Sequence, residues 1–322
     1  MWKTIIRRIL ILIPQLIVIS AFVFVLSFIM PGDAFTGMVS DDPLFAQRME
    51  ELREIHGLND PWYTQYWRWI SGVVTSFDFG DSVLTNRPVT ELIGERAGNT
   101  FRLSLLSLVF TYLIAIPLGV LAARKKGSLL DRGILLYTFI ALAMPTMVLA
   151  MINVYVFGIR LGWFPFRGSV DVTLTPGSIE AFFSRIYHLF LPAITTALLG
   201  TVSIINFLRS EIVDTQNSDY VMTARSKGVP TGKVYSRHIL RNSLLPVVSM
   251  FGVSIAFLLG GTIFIERIFA YPGIGTLFLD SIVQRDFSVS NTLVMMFAFF
   301  TAMGTLLGDI LLTVVDPRIR IR

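Results

Sequence analysis

Six apolar stretches constrain this chain more than any other feature: residues 9–29, 103–123, 133–157, 189–208, 244–265 and 292–315. A hydrocarbon layer about 30 Å thick takes about 20 helical residues to cross, and every backbone N–H and C=O within it needs an internal partner. Helices meet both demands. The expected fold is an all-α polytopic membrane protein with six transmembrane helices. Composition agrees, since 53% of the residues are hydrophobic and 15% charged, against about 25% charged in an ordinary water-soluble domain. Pro14, Pro117, Pro145, Pro192 and Pro246 fall inside or at the ends of the stretches, where neighbouring helices can satisfy the backbone groups that proline frees. The first stretch follows Lys3, Arg7 and Arg8 as a signal peptide would, but it exceeds the roughly 7–15 residues of a signal core. The following "SFIMPGD" also lacks a small-residue cleavage pattern.

Basic residues close to the spans orient them. Lys3, Arg7 and Arg8 precede the first; Arg124, Lys125, Lys126 and Arg132 join the second and third; Arg209, Arg225, Lys227, Lys233, Arg237 and Arg241 join the fourth and fifth; Arg318, Arg320 and Arg322 follow the sixth. With six spans, all four groups share one side. Both termini are then cytoplasmic. The segment 30–99 on the other side carries eleven Asp and Glu against five Arg. The net charge of +5 thus follows from topology, and nucleic acid is excluded as a partner. This gives three regions: 1–29, the cytoplasmic N-terminus and first helix; 30–99, a large extracytoplasmic segment; and 100–322, a five-helix core containing a loop at 209–243. Within the extracytoplasmic segment, "FAQRMEELREIHGLND" reads as one short helix ended by Gly57. Trp62, Tyr63, Tyr66, Trp67 and Trp69 then read as an interfacial belt, or as a surface that holds substrate or a partner. The connection 158–187 reads as an ordered loop.

Chemistry-bearing residues are sparse. There is no cysteine, and His56, His188 and His238 have no metal-ligand spacing. "GVSIAFLLGG" lacks the Lys-Ser or Lys-Thr of a phosphate loop, so no nucleotide, metal or other cofactor is expected in this chain, nor any catalytic residue. Glu266 and Asp309 stand at predicted span ends. They read either as packing groups or as contacts in a pathway or gate.

The polar passage "DYVMTARSKGVPTGKVYSRHILRNSLLPVV", residues 219–248, is longer than a helical hairpin needs. Asp219 can cap a helix of about two turns, with Gly228 stopping it, and a second helix restarts at Lys233. Ala224, placed on the outside of that short helix, would let another surface approach closely. Such an element can be gripped by a soluble partner and can pass movement into the fifth span; the plainer alternative is a solvated, positively charged loop.

The same passage resembles the cytoplasmic coupling loop of ABC importer permeases, specifically the first permease subunit of the oligopeptide, dipeptide and nickel class. Similarity covers essentially the whole chain: "PGD" at 31–33, "SFDFGDS" at 76–82, "RPV" at 87–89, "ERIFAYPGIG" at 266–275, "QRDF" at 284–287 and "DPRIR" at 316–320. Ala224 and Gly228 match the family's coupling motif, while Met222 replaces an acidic residue common in the wider superfamily; His238 and Arg241 do not match that wider pattern. The resemblance implies ATPase coupling through Tyr220, Thr223, Ala224, Gly228 and Arg237. It also implies a prokaryotic cytoplasmic membrane location, a homologous second permease, two cytosolic ATPases using ATP and Mg, and an extracytoplasmic binding protein. The implied substrate is short peptides, with nickel or another small solute as the alternative within the class. A secondary transporter or channel working without ATPases is the alternative outside it, and it would ordinarily show charged groups at span midpoints.

Overall fold

The computed structural model of the chain describes residues 2–36, 43–256 and 262–315, and among these the regular structure is helical. α1 (Trp2–Ile29) is followed by two shorter helices, α2 (Pro43–Ile55) and α3 (Trp62–Ser76), and then by α4 (Val89–Arg124). At 1.5 Å per residue, the 36 residues of α4 run about 54 Å, well beyond a hydrocarbon layer. Hydropathy marks only the part of a helix that touches lipid. α4 therefore begins fourteen residues before the apolar stretch that announces it, and the expected boundary at 99/100 falls inside one continuous helix.

The third stretch is broken rather than straight. α5 (Leu129–Ala143) is capped by the Ser128 hydroxyl, which accepts from the Asp131 N–H. It ends at Met144, whose extended ψ of 116° is what a residue before proline adopts. α6 (Thr146–Asn153) then leaves at 105° and continues as a π-helical turn, Val154–Arg160. α7 (Ile179–Gln216) starts ten residues before its apolar stretch, which shortens the ordered connection expected at 158–187.

α8 (Asp219–Ser226) is a short helix. After it, α9 (Thr231–Lys233), a π-helical stretch Val234–Leu240 and α10 (Arg241–Ser243) run nearly end to end into α11 (Leu245–Ala256). α12 (Ile263–Ile268), α13 (Ile274–Val283) and α14 (Phe287–Val315) complete the described chain. Four described helices are long and apolar enough to cross a membrane, and the α5–α6 pair makes a fifth if the bent pair is one span. The expected span at 244–265 contains α11 and the start of α12, with residues between them outside the described ones. The ten-residue α13 is too short to cross. It occupies the 270–282 region, for which a re-entrant helix is the alternative to a sixth full span.

α4 and α7 form the centre of the bundle. Lipid is as apolar as leucine, so helix association there depends on close packing and small residues. A Cβ at Gly119 would lie 3.2 Å from the Leu208 side chain. At one end of the pair, Ala115, Ala122 and Ala123 pack with Ile205, Leu208 and Ile212; at the other, Leu103 packs with Leu189, Leu191 and Phe269. The two helices therefore run parallel, and α8 lies at the end remote from α2 and α3. A buried Asp131 accepts two hydrogen bonds from Arg209, at 2.6 and 2.8 Å, and joins α5 to α7 at the α8 end.

The segment carrying α2 and α3 has its own small core of Ala34, Phe35 and Val83, with Met49 and Leu52 against it. Gly57, at φ +64°, ends α2 in the left-handed conformation expected of it. Asp33 accepts from the Phe35 N–H and the Thr36 hydroxyl and pairs with Arg53 at 2.6 Å. The expected aromatic belt divides. Tyr66 and Trp69 turn onto α1, where Phe24 meets both rings and Ser20 meets the Tyr66 hydroxyl, whereas Trp62, Tyr63 and Trp67 stay exposed. A longer tie closes the segment against the far end of the sequence: the Ser82 hydroxyl donates to the buried Asp286 carboxylate at 2.6 Å.

Candidate coupling site

The N-cap of α8 is Ser218, not Asp219. The Ser218 hydroxyl donates back to the Thr215 carbonyl at 2.7 Å, and Asp219 instead occupies the first turn, where its charge complements the positive end of the helix. The helix ends as its glycine predicts. Gly228 has φ +73°, its N–H donates to Arg225 O at 2.9 Å, and the Val229 N–H donates to Ala224 O at 3.2 Å. This pair of bonds is a Schellman C-cap. It turns the chain sharply, so that α9 and the helical run behind it return along the end of the bundle.

The apolar pair on α8 faces the body of the protein. Val221 and Ala224, three residues apart and so on one face, are 0% and 7% exposed and join the cluster that includes Ile212, Val234, Ile239 and Val247. The expectation that Ala224 lies on the outside of α8 is therefore corrected: its small side chain lets α8 sit close to its own chain. The exposed face consists of Tyr220, Met222, Thr223, Arg225 and Lys227, with Arg237 exposed on the next helical run. Gly228 is exposed, and a Cβ built there meets nothing within 4 Å.

Two further contacts, which carry no local sequence signal, brace this element. The Ser243 hydroxyl donates to the Thr215 hydroxyl at 3.2 Å, inside the protein and across 28 residues. The Arg124 guanidinium sits 4.6 Å from the centre of the Tyr235 ring, a cation–π contact between the end of α4 and the run after α8. α8 packs against the run that follows it, and that run and its continuation are tied in turn to α4 through Arg124 and to α7 through Ser243.

Because nothing crowds Gly228, its substitution isolates the backbone conformation. Gly228→Val is expected to destabilise the α8 turn by about 1–3 kcal/mol, since a β-branched residue is strained at positive φ, and Gly228→Asn to lose less. Hydrogen exchange across residues 219–229 would measure it. Exchange in the valine variant as slow as in the wild type would remove the left-handed cap from the argument.

The two span-end acids fare differently. Asp309 lies on α14 with its side chain outside the described residues. Glu266 is 0% exposed on α12, and its carboxylate accepts from the Thr100 hydroxyl at 2.7 Å, the Thr262 hydroxyl at 2.9 Å and the Thr276 N–H at 3.1 Å, with the Gly275 N–H as a further partner. The Ile274 N–H donates to Thr100 Oγ1 at 2.8 Å. All three N–H groups in the first turn of α13 are thereby satisfied by Glu266 and Thr100. Asn99 adds a bond to Pro272 O at 2.9 Å. Glu266 clamps α12, α13 and α4 together.

A family profile described as "Binding-protein-dependent transport system inner membrane component" matches residues 115–321, and one described as "Binding-prot-dependent transport system membrane comp, N-term" matches residues 1–104. The oligopeptide transport system permease protein AppB of Bacillus subtilis (strain 168) is 42% identical over 98% of this chain and 98% of its own length. The glutathione transport system permease protein GsiC of Escherichia coli (strain K12) is 33% identical over 99% of each. Among solved structures, a chain of the MetNI methionine ABC transporter, in inward-facing conformations, aligns with a TM-score of 0.54 and 15% identity. That alignment covers 70% of this chain and 97% of that one, a likeness of fold.

Proposed function

Since the chain belongs to the family of binding-protein-dependent transport system inner membrane components, the membrane part of ABC transporters, we propose that it carries short peptides through one half of an ATP-driven import path. A homologous second permease supplies the other half. Two cytosolic ATPases, with ATP and Mg, supply the work, and an extracytoplasmic binding protein delivers the substrate, with residues 30–99 receiving it. Both termini and α8 face the cytoplasm of a prokaryotic cell. The single observation that carries the substrate is the 42% identity, over nearly the full length of both chains, to an oligopeptide permease.

The geometry of α8 supports coupling through this element. Tyr220, Thr223 and Arg237, with Met222 beside them, form the face offered to an ATPase, while Ala224 and Gly228 hold that face in place. Glu266 sits in a structural clamp and is left out of the path. Deleting the gene in its host is expected to reduce uptake of labelled trialanine to background, with restoration by a plasmid copy and no change in nickel uptake. Peptide uptake that survives the deletion, or nickel uptake that disappears with it, would overturn the peptide assignment.

A further inference from the structure

α4, α7 and α11 border an open cavity of about 320 Å³ whose lining residues are mostly serines and threonines set among apolar surface: Ser104, Ser107 and Thr111 on α4, Thr196 and Ser203 on α7, Ser254 on α11, and Thr262 just before α12. These residues stand near the middle of α4 and α7, and no charged residue is among those lining the cavity. Gly200 and Ser203 are exposed and mark its open side.

Hydroxyls between membrane helices often bond one helix to the next. Here most do not. Ser107 donates to Leu103 O at 2.8 Å, Thr111 to Ser107 O at 2.8 Å, Thr196 to Pro192 O at 2.9 Å and Ser254 to Met250 O at 2.9 Å, each within its own helix. A hydroxyl has one hydrogen to donate and two lone pairs to accept with. With the hydrogens committed backwards, these four groups offer acceptors. Tyr112 uses one of them, at 3.3 Å from Ser254. Ser104 is 6% exposed and its hydroxyl has no partner among the described residues, a costly arrangement for a buried polar group unless something else occupies the space.

We propose that this cavity is a substrate subsite of the translocation path, taking the uncharged backbone amides of a peptide through acceptor hydroxyls on α4, α7 and α11, an inference that rests on the peptide reading above. The chemistry selects among solutes. Amide N–H groups match the acceptor hydroxyls set in this uncharged and otherwise apolar wall. A carboxylate meets few donors there, and a metal or ammonium ion finds no counter-charge in the lining itself to offset its desolvation, because the Glu266 carboxylate lies behind Thr262 and is already taken up by its own hydrogen bonds. Contacts to backbone amides are also indifferent to side-chain identity, which suits a carrier of assorted peptides.

The chain has no cysteine, so S203C places a single thiol at the mouth of the cavity. In membranes holding the whole transporter, wild-type trialanine uptake is measured first. Its absence would defeat the peptide reading, and this proposal with it, before any variant is made. Given uptake, Thr196→Val is expected to lower trialanine transport about fivefold, the loss of roughly one neutral hydrogen bond, with Thr196→Ser recovering it and ATPase activity stimulated by the binding protein persisting. Trialanine with ATP is expected to slow the reaction of S203C with a methanethiosulfonate reagent, read as the mass shift of this chain. Labelling that trialanine leaves unchanged, or a Thr196→Val transporter with full uptake, overturns the subsite while peptide import stands. If Thr196→Val lowers the amount of chain, the S203C labelling decides.

Discussion

Replacing Ala224 with glutamate is expected to reduce the amount of folded chain in the membrane, and only through that to reduce transport. Ala224 is buried in the cluster that also holds Val221, Val234 and Ile239. A longer side chain there overfills a close-packed site, at about 1–3 kcal/mol, and an unpaired buried carboxylate adds several more. Met222, two residues away and 57% exposed, supplies the contrast. Met222→Glu is expected to leave abundance and melting temperature near wild type while weakening co-purification of the ATPases and uptake. Membrane abundance by immunoblot, ATPase co-purification and peptide uptake, measured on both variants, separate the two effects. Ala224→Glu protein at full abundance that has lost its ATPases would return Ala224 to the outer face. Met222→Glu with normal uptake and normal ATPase retention would move the docking surface off α8.

The second large effect is expected at the Glu266 clamp. A Cβ built on Gly273 falls on the Glu266 carboxyl group, and that carboxyl is held in place by Thr100, Thr262 and the first turn of α13. Gly273→Ala must therefore displace a group with nowhere to go. Glu266→Leu keeps the bulk but leaves two threonine hydroxyls and the first-turn N–H groups of α13 short of acceptors, at about 1–3 kcal/mol for each buried group left unsatisfied. Both variants are expected to lower the thermal stability of the detergent-solubilised chain substantially. Glu266→Gln retains one acceptor oxygen and is expected to fall between Glu266→Leu and wild type. A wild-type melting curve for Gly273→Ala would show that the turn at 270–273 has room that the structure denies it.

What could be read from the sequence, and what could not, divides along the range of the forces involved. The apolar stretches located α1, α4, α7 and α14 because contact with lipid imposes a composition that any window of twenty residues reveals. The same signal missed the first fourteen residues of α4 and the first ten of α7, since those turns need no apolar surface. Pro145 was visible, but whether a proline kinks a span or breaks it by 105° depends on what the next helix packs against. On α8, the turn at Gly228 was legible from one residue type. Ala224 was misplaced because small size alone does not distinguish a surface offered to a partner from one pressed against the chain's own core; its three-residue spacing from Val221 is the local signal for the inward face. Glu266 was open between two readings because its clarifying partner, Thr100, lies 166 residues earlier.

The bond from Ser82 to Asp286 spans 204 residues, and Ser27 reaches Asn291 across 264. During synthesis at about 5–20 residues per second, the acceptor at Asp286 follows Ser82 out of the ribosome by roughly 10–40 s. The segment after α1 must wait through that interval with an edge unfinished. Its final closure therefore reports that the last helix has arrived. A chain stalled or truncated before residue 286 would keep that seam open.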